Sequence, residues 1–200
     1  SITSIGQYSF FNCSNIENIS IPENVNSIKD NAFQHCSKLL SITIPSKITS
    51  IENKLFQFCS KLQSILIPEC VTYIGGAAFG DCLNLQSITI PENVNTIETW
   101  AFAECRSLQN ITIPSKVTVI NYKTFYHCIC LQSITIPSKV TIIKNNAFFH
   151  CYNLKEVSFL GMITRIGHGS FAWCISLLKI STPESLTTLD KWAFSYCTSL

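Results

Sequence analysis

The chain has 200 residues, a formal net charge of +2, and a composition that is 46% hydrophobic but only 13% charged. That balance gives no electrostatic drive toward nucleic acid or an anionic membrane surface, and no apolar run approaches the ~18 residues of a membrane-spanning helix. Neither end reads as a signal peptide, a lipidation site or a sorting tag.

Cysteine recurs at positions 13, 36, 59, 82, 105, 128, 151, 174 and 197, a constant step of 23, and a phenylalanine stands three residues before each one, from Phe10 to Phe194. A period of this length with aliphatic residues at fixed offsets is the signature of a leucine-rich repeat solenoid, in which each unit buries its apolar columns against two neighbours. The register is unbroken, so residues 1–200 are read as a single array of about nine 23-residue units. The chain opens mid-repeat and stops before the strand that should follow Cys197, which makes it a segment of a longer protein on this reading.

Within the unit that starts at Cys82, the elements come in order. Ile88 and Ile90 alternate with Ser87 and Thr89, the pattern of a short strand whose copies stack into a parallel sheet about 4.8 Å per coil. Pro91 lacks an amide donor and closes that strand, as do the prolines at 22, 45, 68, 114, 137 and 183. Val94 to Ile97 is a second extended stretch with apolar ends turned inward. Glu98 to Glu104 then suits a tight helical turn, with Phe102 and Cys105 three apart on one face. The expected fold is therefore an α/β repeat solenoid: a horseshoe with a parallel β-sheet on its concave face and short strand and helical turns opposite.

The run Leu108 to Ile120, followed by Phe125 and Cys128, resembles the BspA-type leucine-rich repeat of bacterial surface proteins and large protist families. The resemblance covers nearly the whole chain. It implies a right-handed horseshoe used in adhesion or protein binding, without naming a ligand.

Several residue types could carry chemistry. Nine of the 11 cysteines fall in one column with core periodicity, and stacked coils hold equivalent side chains parallel, which fits disulfide geometry poorly. They read as reduced, buried thiols packed as small hydrophobes, with Cys70 and Cys130 outside the column and more accessible. His127 and His150 share the position before the ladder cysteine, and Cys130 is near in sequence, but a zinc site wants three or four convergent ligands, so no metal is expected. No nucleophile, base and orienting group fall at a recognisable spacing, and no phosphate-binding glycine loop is present. Neither catalysis nor a cofactor is expected. Asn12, Asn18 and Asn110 head matches to the N-glycosylation pattern, which matter only in a secreted eukaryotic protein.

The reading that remains is a non-enzymatic binding module for a protein or glycan, at the cell surface or secreted, with an intracellular scaffold as the alternative. Neither nucleic acid nor membrane insertion is expected of this segment. Binding is expected on the outward strand positions Thr89, Asn110, Thr112, Ser133, Thr135, Glu156, Ser158 and Lys179, where Glu156 and Lys179 interrupt a uniform Ser/Thr/Asn ladder. The repeat after Cys151 also departs, with Val157, Phe159 and Leu160 where other coils carry Ile, Ile and Pro, followed by Gly161 and Met162, and Leu40 and Leu66 are further apolar intruders. The rival surface is an aromatic flank of Tyr126, His127, Phe149, His150, Trp173 and Tyr196.

Overall fold

The polar-apolar alternation around each inward isoleucine does form strands. In the computed structural model, which describes residues 2–200, they stack in parallel with partners offset by one repeat. A first ladder comprises Asn18–Ser20, Ser41–Thr43, Ser87–Ile88, Asn110–Ile111, Ser133–Ile136, Glu156–Phe159 and Lys179–Ile180, and Leu66 bridges from Thr43 to Thr89 where a full strand is missing. A second ladder starts at Ser4–Ile5 and recurs at each repeat to Thr188–Leu189. The result is a parallel-strand β-solenoid of about eight turns.

Nothing helical follows the second strand. The described residues form strands, turns and bends only, so the α/β expectation is corrected to an all-strand, leucine-rich-repeat-like solenoid. The backbone gives the reason. Two residues per coil hold left-handed conformations four positions apart, as at Trp100 (φ 62°) and Glu104 (φ 61°), and a right-handed helix cannot pass through either. Successive amides then alternate in direction. The N–H groups of Trp100, Phe102 and Glu104 donate to the Tyr122, Thr124 and Tyr126 carbonyls of the next coil, while those of Ala101, Ala103 and Cys105 close i to i−3 turns within their own. The segment is a third inter-coil ladder built from stacked turns.

This arrangement explains the Phe and Cys columns. From Phe10 to Phe194 the rings form one stack, centroids 5.1–5.8 Å apart and planes within 17° of parallel. Each interior Phe carbonyl is buried and needs partners. The Phe79 oxygen accepts from the Cys82 N–H at 3.2 Å and from the Cys105 thiol of the next coil at 3.1 Å. The same thiol bond recurs from Cys36 to Cys197. Cysteine fits because it packs as a small hydrophobe and still donates weakly.

Proline's role is visible where it is absent. Leu160 stands in the proline column, and its N–H donates to the Ile136 carbonyl at 3.0 Å, so the Glu156–Phe159 strand pairs one residue further. Gly161 follows because the coils touch there: a Cβ on it would stand 2.0 Å from the Ser138 carbonyl oxygen.

Candidate binding surfaces

The first ladder turns its apolar residues inward and its polar ones to solvent. Thr89, Asn110, Thr112, Ser133, Thr135, Glu156 and Lys179 are exposed and Ser158 is half-buried. Their register is fixed by the backbone: Ser87 pairs with Asn110, Ser133 with Glu156, Glu156 with Lys179, and Thr135 with Ser158. Asn110, Thr112, Ser133 and Thr135 line one shallow groove of about 490 Å³, bounded by Glu92 and Leu160. Glu156, Ser158 and Lys179 line a second of about 900 Å³, with Phe159, Leu178 and Glu184. Thr89 lies outside both, one coil from Leu66, which is 75% exposed. Leu160, Met162 and Leu178 are exposed as well, so the departures after Cys151 give this end of the face an apolar character that the Ser/Thr coils lack.

The turn ladder carries the aromatic flank. Tyr126 stacks on Phe149 at 5.5 Å, His127 on His150 at 4.4 Å, and Trp173 on Tyr196 at 4.1 Å, while His150 meets Trp173 edge-on. All six residues therefore share one surface. The histidine column has a backbone explanation: His35, His127 and His150 occupy the second left-handed position, along with Asn12 and Asp81, and these are residue types that tolerate positive φ better than most. His127 Nδ1 lies 3.0 Å from Glu104 Oε1, and its Nε2 faces His150 Nδ1. Burial first, and then His127, hold His150 below the ordinary imidazole range, with Glu104 acting in the opposite sense. Burial, followed by the Glu104 carboxylate, pushes the Tyr126 hydroxyl up. Among the described residues no group of three or more His, Cys, Asp or Glu side chains is placed to hold a metal ion.

All 11 cysteines are free thiols. Those from Cys36 to Cys174 in the ladder are fully buried, and burial pushes Cys36 to about 11 and Cys59, Cys82, Cys105, Cys128 and Cys174 well above the usual thiol range. Cys70 and Cys130 are half-buried, as are the end-coil Cys13 and Cys197, and the Cys70 thiol donates to the Ser46 and Ile48 carbonyls.

A groove of about 670 Å³ opens in the flank beside Phe149, Trp173 and Tyr196, and its other lining residues, Gly169, Ala172 and Trp192 among them, are not evident from motif reading. The signal was in the columns: Gly169 is the only glycine in a position otherwise filled by Tyr8, Asn31, Lys54, Ala77, Trp100, Lys123, Asn146 and Trp192.

The sequence matches the model for the BspA type leucine rich repeat region, in six copies, over residues 1–103 and 74–200. Comparison with curated proteins finds no match. Among solved structures, the chain is similar to a leucine-rich repeat protein of T. pallidum, 28% identical over 76% of this chain and 72% of that one, with a TM-score of 0.73. A leucine-rich repeat protein from Eubacterium ventriosum shares the fold at 21% identity over 97% of this chain and 62% of that one, TM-score 0.63. The pneumococcal vaccine antigen PcpA does so at 16% identity over 89% of this chain and 46% of that one, TM-score 0.54.

Proposed function

Because the chain belongs to the BspA-type leucine-rich repeat family, we propose that it is a non-enzymatic binding module, working at the cell surface or outside the cell, that engages a protein through the outward face of its first ladder. That face is the concave side on this reading. Proteins of this repeat class act as binding or scaffold modules, and among the described residues no helix is long and apolar enough to cross a membrane.

The observation that carries the reading is the fixed row Asn110, Ser133, Glu156, Lys179 beside Thr112, Thr135 and Ser158. Side chains held about 4.8 Å apart by a parallel backbone lose little freedom on binding. One acidic and one basic residue at its late end give a neutral ladder the polarity that selects a partner. The chain covers 72% of the length of the T. pallidum protein and 62% of that from Eubacterium ventriosum.

The test is selective capture from an extracellular protein mixture by the wild-type chain and by variants. Glu156→Lys with Lys179→Glu, or Thr112→Trp with Thr135→Trp, should lose the captured partner while keeping the native circular dichroism. If those variants bind normally and Phe149→Ala with Trp173→Ala abolishes capture without unfolding, the ladder face is not the site.

A further inference from the structure

The first left-handed column of the turn ladder runs Trp100, Lys123, Asn146, Gly169, Trp192 through the late coils, so one side chain is missing from an otherwise filled row. Three positions on, the next column shrinks at the same place, from Phe149 to Ala172 and Ser195. The two together open a notch of about 670 Å³. Small residues make its floor, and the rings of Phe149, Trp173, Trp192 and Tyr196 line its sides. Skipping one side chain leaves about 10 Å between the Asn146 and Trp192 backbones, twice the coil rise, and the Asn146 amide oxygen leans into that space, 2.6 Å from where a Gly169 Cβ would stand.

The chemistry of the lining narrows the occupant. No Asp, Glu, Lys or Arg contributes to it, and its polar groups are the neutral Asn146 amide, the His168 ring and the Ser195 and Tyr196 hydroxyls. Trp192 and Tyr196 are 68% and 60% exposed, with His168 tilted against the Trp192 ring at 5.1 Å. A pyranose offers an apolar C–H face to the rings and hydroxyls at its edge to the amide and hydroxyl groups, the usual division of labour in a small-molecule pocket.

The array contains its own comparison. Four coils earlier the same positions form a second notch, floored by Ala77, Gly80 and Ala103 beside Trp100, but Asp81 stands where the late notch has Trp173 and Lys54 where it has Asn146. That notch is smaller, about 310 Å³, and Lys123 sits over the Trp100 ring at 4.2 Å. The backbone geometry is therefore common to both, whereas the aromatic, uncharged lining belongs to the late one alone.

We propose that the Gly169 notch is a binding site for a neutral pyranose unit of a glycan. The site is separate from the first-ladder face and stands or falls without it.

The experiment titrates the chain with neutral tetrasaccharides of glucose, mannose, galactose and N-acetylglucosamine, followed by tryptophan fluorescence and saturation-transfer NMR. At least one should bind saturably. Ala172→Phe, which places in the notch the side chain that Phe149 carries one coil earlier, should weaken that binding about tenfold or more, and so should Trp192→Ala at an exposed position that the fold does not need. Gly80→Phe in the charged notch should leave it unchanged. The proposal is overturned if none of the four sugars binds saturably to protein with native circular dichroism, or if binding survives Trp192→Ala. It is equally overturned if sedimentation shows a dimer that Trp192→Ala dissolves, which would make a second copy of the chain the occupant.

Discussion

Replacing Phe102 by alanine tests whether the ring column holds the coils together. Phe102 is fully buried, with the Phe79 and Phe125 rings at 5.4 and 5.7 Å on either side. Losing the burial of such a ring costs about 1.5–3 kcal/mol, and the cavity left between coils that cannot collapse raises the total to about 3–5 kcal/mol. In a solenoid that energy divides between two interfaces. Phe194 is only partly buried and has one ring neighbour, Phe171, at 5.4 Å, so Phe194→Ala should cost about half as much. Urea unfolding under reducing conditions, followed by far-UV circular dichroism and tryptophan fluorescence, measures both. Phe102→Ala should also lower the m-value or split the transition, because a weakened central interface lets the two halves unfold apart. Equal costs at the two positions, or a loss below about 1.5 kcal/mol at Phe102, would refute the nearest-neighbour account.

Four further outcomes follow from burial and close approach. In native protein at mildly alkaline pH only Cys13, Cys70, Cys130 and Cys197 should react with a thiol reagent, Cys197 more slowly because burial raises its pKa too, while the interior ladder thiols from Cys36 to Cys174 are fully buried, so fast labelling of more than four groups counts against this packing. Gly161→Ala should destabilise the array by about 2 kcal/mol or more, since the new Cβ meets the Ser138 carbonyl, while Gly6→Ala, whose Cβ would come no nearer than 3.4 Å to Ser9 Oγ, should change the melting temperature little. His150, held low by burial and by His127, binds its proton less readily in the native than in the unfolded chain, so stability should fall as pH drops from about 6.5. His150→Asn keeps a residue suited to positive φ and should flatten that part of the melting profile. Asp81 has the opposite sign: burial and the Glu104 carboxylate raise it, its contribution is lost as pH rises through the folded pKa, and Asp81→Asn should raise the melting temperature at neutral pH.

What the sequence revealed and what it hid have one physical origin. Inward positions are constrained by burial, so Ile88, Val94, Ile97, Phe102 and Cys105 show their columns directly in residue type, and both strand ladders were legible from them. The turn between Ile97 and Cys105 is constrained by backbone direction instead. Its left-handed positions accept Trp100 and Glu104 as well as Asn31, Asp81 and Gly169, at a cost of about 1–2 kcal/mol for an ordinary residue. That preference leaves only an excess of Asn, Asp and His, and it accounts for His127 and His150 sharing one column. The same reasoning locates sites on a solenoid. A column dictated by packing or φ carries little information about function, so information lies where a column breaks without a structural demand. Glu156 and Lys179 break the polar ladder, where Ser or Thr would serve the strand equally. Gly169 suits its left-handed φ of 58°, and a Cβ there would stand 2.6 Å from Asn146 Oδ1, so the informative break is the one three residues later, where Phe149 gives way to Ala172 beside exposed rings. Gly161 is a contrary case, since contact with Ser138 accounts for it fully, and a break explained by contact points to no ligand.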